Sequence, residues 1–159
     1  MDKDERLQAY RLVERENSTA TILFHSAIAN HFGQNLTDWI CASMIQQKGT
    51  HSAGQLAELT GLTTGAITGL IDRLEKAGVV QRQPDPNDRR RVIVAVQSDW
   101  EDKMTPFYTS ILELFAEITA VYSDEELALI IDFNKRTAAM MEEEAIKIRT
   151  GNAAYLQDV

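Results

Sequence analysis

The sequence predicts a mainly α-helical fold with one small β-hairpin. Apolar residues recur at helical spacing along most of the 159-residue chain. Capping side chains and glycines mark the ends of these segments. The period changes once, over residues 79–96, where two β-favouring runs flank a turn-rich loop. We therefore expect the order helix, helix, helix, helix, hairpin, helix, helix.

The composition is that of a folded acidic protein, with a formal net charge of −8. No apolar run approaches the ~20 residues of a membrane-spanning helix, and the first ten residues lack the apolar core of a secretion signal. We therefore expect a cytoplasmic protein with no membrane partner. The single cysteine, Cys41, excludes an intrachain disulfide and a cysteine-based metal cluster.

The chain carries no pattern typical of an enzyme. Its three histidines, His25, His31 and His51, lack metal-ligand spacing, and neither a Gly-rich phosphate loop nor a GxSxG elbow is present. We expect no catalysis, no metal and no cofactor.

Two helices are predicted in the first third of the chain. Residues 5–32 contain no Pro or Gly, and Gly33 supplies a stop signal. Asn35 stands where it can cap a second helix, which carries apolar residues at helical spacing and ends at Lys48.

The next two helices have clear start and stop signals. Ser52 and Gln55 form a capping box, in which each side chain accepts a hydrogen bond from the other residue's backbone amide, and Gly61 ends that helix. Thr63 caps the following helix, which stops at Gly78.

Residues 53–70 predict a helix-turn-helix. Ala57 supplies the small residue where two steeply crossing helices touch, and Gly61 tolerates the left-handed backbone of the turn. Ile67 and Leu70 supply the apolar inner face of the second helix. Two adjacent amphipathic helices with a glycine stop are the alternative interpretation.

The hairpin favours the helix-turn-helix. Residues 79–83 and 91–96 favour strands, and the Pro, Asp and Asn residues between them form a long turn. A two-stranded ribbon directly after a helix-turn-helix makes a winged helix.

Two helices follow the hairpin. Ser98 with Glu101 and Ser123 with Glu126 form two further capping boxes. Pro106 lies inside the first of these helices, where we expect a kink or a broken first turn.

Three consecutive arginines, Arg89, Arg90 and Arg91, lie at the predicted wing. Residues 63–96 contain six basic and four acidic residues, so this segment carries +2 and the other 125 residues carry −10. A local cationic patch of this kind suits the phosphates of DNA, although a solvated charge run is the simpler alternative. Because neighbours on a strand point to opposite sides, we expect Arg89 to enter the minor groove and Arg90 to pair with Asp72.

The outward face of the fourth helix is small and polar at its N-terminal end, where a recognition helix meets bases and phosphates. Small residues let the helix backbone approach a groove, and threonine hydroxyls donate to phosphates or base edges. The predicted DNA-binding residues are Ser52, Thr63, Thr64, Gly65, Ala66, Thr68, Gly69, Arg73, Asp88, Arg89, Arg90 and Arg91.

The segment from Leu36 to Val96 resembles the MarR family of bacterial transcription regulators, most specifically in LIDRLEKAGVV followed by DPNDRR. The resemblance implies a homodimer whose winged helices straddle a palindromic operator. It implies a DNA-binding domain at residues 35–97 and a helical dimerisation region at residues 1–34 and 98–159. It also implies a repressor, less often an activator, released by a small ligand or by oxidation.

The sequence departs from the family pattern in two places. Family members often carry a basic residue where Gly69 stands, so one contact with DNA is expected to be missing. A glycine is usual just after the second strand, whereas Glu101 stands near that place, which puts the start of the fifth helix in doubt.

The resemblance also implies an effector pocket between the dimerisation helices and the winged helix. A small aromatic or phenolic effector would suit an apolar pocket with a few polar anchors, although core packing is the alternative role for each candidate. The candidate pocket residues are His25, His31, Phe32, Trp39, Met44, Phe107 and Tyr108.

Two other functions remain open from the sequence. Cys41 would make the protein a redox-responsive regulator, although it lies in an apolar stretch and redox-sensing family members carry their cysteine in the first helix. A winged helix also serves in some proteins as a protein-binding module, and the acidic run Glu142, Glu143 and Glu144 would suit a basic partner.

Overall fold

The computed structural model describes residues 1–152, which form six helices and one antiparallel hairpin. This architecture confirms the predicted fold class and element order. None of the helices in these residues is long and apolar enough to cross a membrane. The elements are α1 (Lys3–His31), α2 (Leu36–Lys48), α3 (Ala53–Thr60), α4 (Thr64–Lys76), β1 (Val80–Pro84), β2 (Val92–Val96), α5 (Trp100–Thr119) and α6 (Asp124–Thr150).

The chain divides into two compact units, Met1–Met104 and Thr105–Val159. The first unit has an apolar core supplied by α1 to α4, the hairpin and the first residues of α5. Helix α4 buries one whole side in this core. The buried side chains of α4 are Ile67, Leu70, Ile71 and Leu74. Each contributes about 1.5–3 kcal/mol by leaving water.

The predicted caps of the helix-turn-helix are confirmed. Ser52 and Gln55 form the reciprocal capping box of α3, and Gly61 follows that helix in the left-handed conformation with φ of 72°. The Thr63 side chain caps α4 by accepting from the Ala66 amide at 3.3 Å. Asn35 caps α2 by accepting from the Asp38 amide at 2.9 Å.

The hairpin pairs Val80 with Val96 and Pro84 with Val92 at its two ends. A third segment joins it, because His51 and Val94 exchange backbone hydrogen bonds of 3.2 and 2.8 Å. The wing is therefore attached to the residues that precede α3 as well as to α4.

The predicted capping box at Ser98 is wrong, because α5 begins two residues later, at Trp100. The Gln97 amide still donates to the Val79 carbonyl at 2.9 Å, so the chain leaves the hairpin only after residue 97. Trp100 is buried and fixes the start of the helix. The helix then runs through Pro106 without interruption, so the first turn is not broken there.

Helix α6 begins at the predicted capping box of Ser123 and Glu126 and ends at Gly151, whose φ is 70°.

In the second unit no residue from 105 to 152 is buried. Residues 153–159 of the predicted dimerisation region lie outside the described residues. The large apolar side chains that α5 and α6 expose are Leu112, Leu114, Phe115, Ile118, Leu129, Ile130, Ile131, Phe133, Met140, Met141, Ile146 and Ile148.

Candidate nucleic-acid interface

The N-terminal face of α4 is exposed and free of bulky side chains. Thr64, Gly65, Ala66 and Thr68 are all exposed, as predicted for a recognition surface. The Thr68 hydroxyl already donates to the Thr64 carbonyl at 2.9 Å, so its oxygen is left as an acceptor for an external partner, whereas the sequence suggested a donor.

Two of the predicted contact residues are capping hydroxyls. Ser52 and Thr63 use their side-chain oxygens to accept from backbone amides at the starts of α3 and α4. Because a hydroxyl both accepts and donates, each keeps its proton for an external acceptor such as a phosphate oxygen.

Two glycines lie in α4, Gly65 and Gly69, and neither is required by the backbone or the packing of residues 1–152. Neither Gly65 nor Gly69 has a positive φ. A Cβ on Gly65 would meet no atom within 4 Å, and one on Gly69 would meet only Nη1 of Arg73, at 3.6 Å, an ordinary contact distance. Glycine inside a helix costs up to about 1 kcal/mol relative to alanine. Within the described residues, therefore, neither packing nor backbone conformation requires glycine at these two positions.

Arg73 is held by a buried carboxylate on α2. Its Nε donates to Oδ2 of Asp38 and its Nη2 to Oδ1, both at 2.8 Å. The Asp38 side chain is only 3% exposed, whereas that of Arg73 is 57% exposed. These hydrogen bonds raise the pKa of Arg73 above its usual value. Nη1 of this guanidinium lies 3.6 Å from where a Cβ on Gly69 would stand, so a cation lies beside the position where the sequence suggested that a cationic contact is missing.

The predicted pair between Arg90 and Asp72 is wrong. The Asp72 carboxylate instead accepts from Nη2 of Arg82 at 2.6 Å. Arg82 also pairs with Glu75, whose carboxylate accepts from its backbone amide at 3.0 Å. Arg82 therefore clamps β1 of the wing to α4, and this clamp raises the pKa of its guanidinium.

The wing loop is built by two aspartates. Asp85 accepts from the Asn87 amide at 2.8 Å, and Asp88 accepts from the Arg90 amide at 3.1 Å. The Arg91 amide donates to the Asp88 carbonyl at 2.8 Å and closes a turn with Arg89 and Arg90 at its centre. Asp88, a predicted DNA contact, thus shapes the loop with its carboxylate.

Strand alternation does not set the side-chain directions of the three arginines, because β2 begins at Val92 and not at residue 91. Arg89 and Arg90 occupy the two central positions of the turn and project from the tip of the wing. All three arginines are exposed, and the structure shows no ion pair for any of them within residues 1–152.

The candidate effector residues of the first unit lie on α1, α2 and the segment that joins them. The Trp39 indole is buried between His25, at 6.4 Å between ring centroids, and Trp100, at 6.3 Å. Phe32 lies 4.9 Å from the Trp100 ring, and exposed His31 meets Phe32 edge to face.

Three candidate effector residues are half-buried: Met44 in the first unit, and Phe107 and Tyr108 in the second. Burial raises the pKa of the Tyr108 phenol. Trp100, which the sequence did not single out, joins Phe32 to Trp39 in this aromatic cluster.

Cys41 is buried, and desolvation, with a smaller effect from the charge of Asp38, raises the pKa of its thiol to about 11. At pH 8 such a thiol carries roughly a hundredfold less thiolate than one with a pKa of 9.0. Because the thiolate is the reactive species, Cys41 is poorly suited to redox sensing.

We expect Cys41 to react with a disulfide reagent at pH 8 at least roughly tenfold more slowly in the folded protein than in the urea-unfolded chain, because the scarcity of thiolate is partly offset by the greater nucleophilicity of a high-pKa thiolate. The measurement is the rate of thiol release, followed by absorbance. Equal rates in the two states would show that the thiol is accessible and would restore the redox interpretation.

A family model described as the MarR family matches residues 35–92. The uncharacterised HTH-type transcriptional regulator YcgE of Bacillus subtilis is 39% identical over 135 residues, covering 85% of this chain and 88% of its own. The chain belongs to the MarR family. It is therefore a DNA-binding transcriptional regulator of the winged helix-turn-helix class.

Solved structures of transcriptional regulators have the same fold. The regulator Tm0710 of Thermotoga maritima superposes with a TM-score of 0.60 at 25% identity, covering 88% of this chain and 99% of its own. A mutant MarR from E. coli, solved in complex with operator DNA, superposes with a TM-score of 0.53 at 21% identity, covering 86% and 99%.

Proposed function

We propose that this MarR-family protein is a ligand-responsive repressor that binds a palindromic operator as a homodimer. The α4 helices enter successive major grooves, and the wings reach the flanking minor grooves. The observation that carries the proposal is the pairing, in one unit, of a small-residue helix face with three exposed arginines at the tip of a braced wing. Binding there in the cytoplasm would exclude other proteins from the operator.

The unpartnered apolar faces support the dimer. From Thr105 onward, the described parts of α5 and α6 expose large apolar side chains along their length and bury none in the single chain. Helix α1 exposes Leu7, Leu12, Val13, Ile22 and Leu23. Apolar surfaces of this extent mark contact sites with another protein. A second copy through the first and last two helices would cover them.

The proposed effector is a small aromatic or phenolic compound. The aromatic residues on α1 and α2 offer apolar contacts, and His31 offers a polar one. The test is a melting-temperature screen of phenols and aromatic carboxylates, because a ligand that binds the folded state raises its melting temperature. A hit supports the proposal only if it also releases operator DNA. Hits that leave DNA binding unchanged would contradict it.

Salt dependence tests DNA binding itself. If the wings and α4 contact phosphates, the logarithm of the association constant falls linearly with the logarithm of salt concentration, by about 0.9 for each phosphate contact. Fluorescence anisotropy with a selected duplex and a scrambled duplex measures both the slope and the preference. Equal and salt-independent affinities would instead favour the protein-binding module.

The acidic run on α6 gives the protein-binding module little support, because Glu143 and Glu144 already pair with Lys147 at 2.7 and 2.8 Å.

We expect Gly69→Ala to raise the stability of the free protein and to weaken its binding to DNA. Stability should rise by about 0.5–1 kcal/mol, because the helix gains propensity and the new methyl meets no clash. Affinity should fall because the added methyl holds the α4 backbone away from the groove. Thermal unfolding and anisotropy titration measure the two effects.

The matched control is Gly54→Ala on α3, where a Cβ would meet only Oγ of Ser52, at 3.9 Å. It should change stability in the same direction with a smaller effect on operator affinity. If Gly69→Ala binds the operator as tightly as the wild type, the α4 backbone does not approach the groove at that residue.

A further inference from the structure

We propose that Asp38 is a positioning residue for DNA binding, which holds the guanidinium of Arg73 beside Gly69 so that its free N–H groups meet a phosphate. The proposal rests on the DNA-binding role of α4 and goes beyond it, because Asp38 lies on another helix and is buried. The two residues are 35 positions apart in sequence and are joined by two hydrogen bonds of 2.8 Å.

The two-bond fork between Arg73 and Asp38 leaves three N–H donors of the guanidinium available. A guanidinium has five N–H donors, and the carboxylate of Asp38 takes one on Nε and one on Nη2. Both protons on Nη1 and one on Nη2 remain. Nη1 lies 3.6 Å from where a Cβ on Gly69 would stand. Gly69 lies one helical turn before Arg73, on the same exposed face of α4 as Thr68.

The burial of Asp38 explains why the arrangement is rigid. A bidentate pair between Arg and a carboxylate fixes the plane of the guanidinium as well as its position. The Asp38 side chain is 3% exposed, and its backbone amide donates to the Asn35 cap at 2.9 Å, so the acceptor is held by its surroundings. A long and otherwise mobile side chain is thus ordered before DNA arrives, which lowers the entropy lost on binding.

Simple charge counting predicts the opposite effect, which makes the proposal testable. Asp38→Asn removes a negative charge from a protein that binds a polyanion, so on charge alone affinity should rise. If Asp38 acts by orienting Arg73, affinity should instead fall by roughly tenfold, since a hydrogen bond to a charged group is lost from the fork. Asp132→Asn is the matched control, because Asp132 makes a similar 2.8 Å pair with Arg136 in an exposed part of α6.

The salt slope separates positioning from a purely structural role. Arg73→Gln should lower the slope by about 0.9 per protomer, because one phosphate contact is lost. Adding Asp38→Asn to Arg73→Gln should weaken binding no further, because the effect of Asp38 passes through Arg73. All affinities are measured per active protein, at a temperature where circular dichroism shows every variant folded. Arg73→Lys, which keeps the charge but loses the fork, should bind more weakly than wild type at an unchanged slope.

The failures of the two proposals are distinguishable. If the wild type shows no salt-dependent preference for a selected duplex, the proposed function fails. If the wild type binds, three results would each overturn the role of Asp38: Asp38→Asn binds as tightly as wild type or more tightly, Arg73→Gln leaves the slope unchanged, or the two changes add in full.

Discussion

Replacing Arg89, Arg90 and Arg91 together by glutamine should weaken operator binding by roughly a hundredfold or more at physiological salt. The three side chains are exposed, and the structure shows no ion pair for them within residues 1–152, so their removal disturbs no contact described there. A dimer would lose six charges at two wings. The salt slope should fall by about two if one arginine per wing contacts a phosphate, and further if more do. Anisotropy titrations at several salt concentrations give both numbers.

The control variant replaces Lys103, Lys135 and Arg136 on α5 and α6 by glutamine, which changes the net charge by the same amount. It should leave the salt slope close to that of wild type. If both triple variants lose affinity equally, net charge alone controls binding and the wing makes no specific contact. Both variants should unfold at temperatures near that of the wild type, because exposed charges contribute little to stability.

Introducing glutamate at Leu112 and Phe115 should dissociate the dimer and remove most of its affinity for the operator. These side chains are 64% and 58% exposed in the single chain, so a charge there costs little until a second copy covers it. The variant should sediment at the monomer mass of 17.9 kDa. Linking two half-site contacts in one particle strengthens binding by about 10²–10⁴, and the monomer loses that gain.

Glu117→Ala serves as the control, because helical spacing places Glu117 away from Leu112 and Phe115 on α5. It should remain a dimer in sedimentation velocity and bind the operator normally. A glutamate variant that still sediments as a dimer would mean that a different surface joins the two copies. A wild-type protein that sediments as a monomer would rule out the homodimer altogether.

Local signals explain why so much of the fold was predictable. The caps at Asn35, Ser52, Thr63 and Ser123 act within three residues of themselves, so the sequence alone carries them. The capping signal at Ser98 placed the start of α5 wrongly. Burial of Trp100 and the hydrogen bond between Gln97 and Val79 outweighed the capping box at Ser98, and both effects depend on tertiary structure.

The candidate interface was predictable in position but not in its internal pairing. The small face of α4 and the arginine run are contiguous in sequence, which made them visible. The pairs that brace them are not: Asp38 meets Arg73 across 35 residues, and Asp72 meets Arg82 across ten. Several arginines were possible partners for each carboxylate, and only the packing of α2 and β1 against α4 decides between them.

Selection of bound duplexes from a random pool tests the central claim most directly. If a two-fold dimer presents two copies of α4 and two wings to DNA, the enriched sequences should contain inverted half-sites whose centres lie about one helical turn, ~34 Å, apart. Enrichment of single, unpaired half-sites, or no enrichment over the starting pool, would contradict the account.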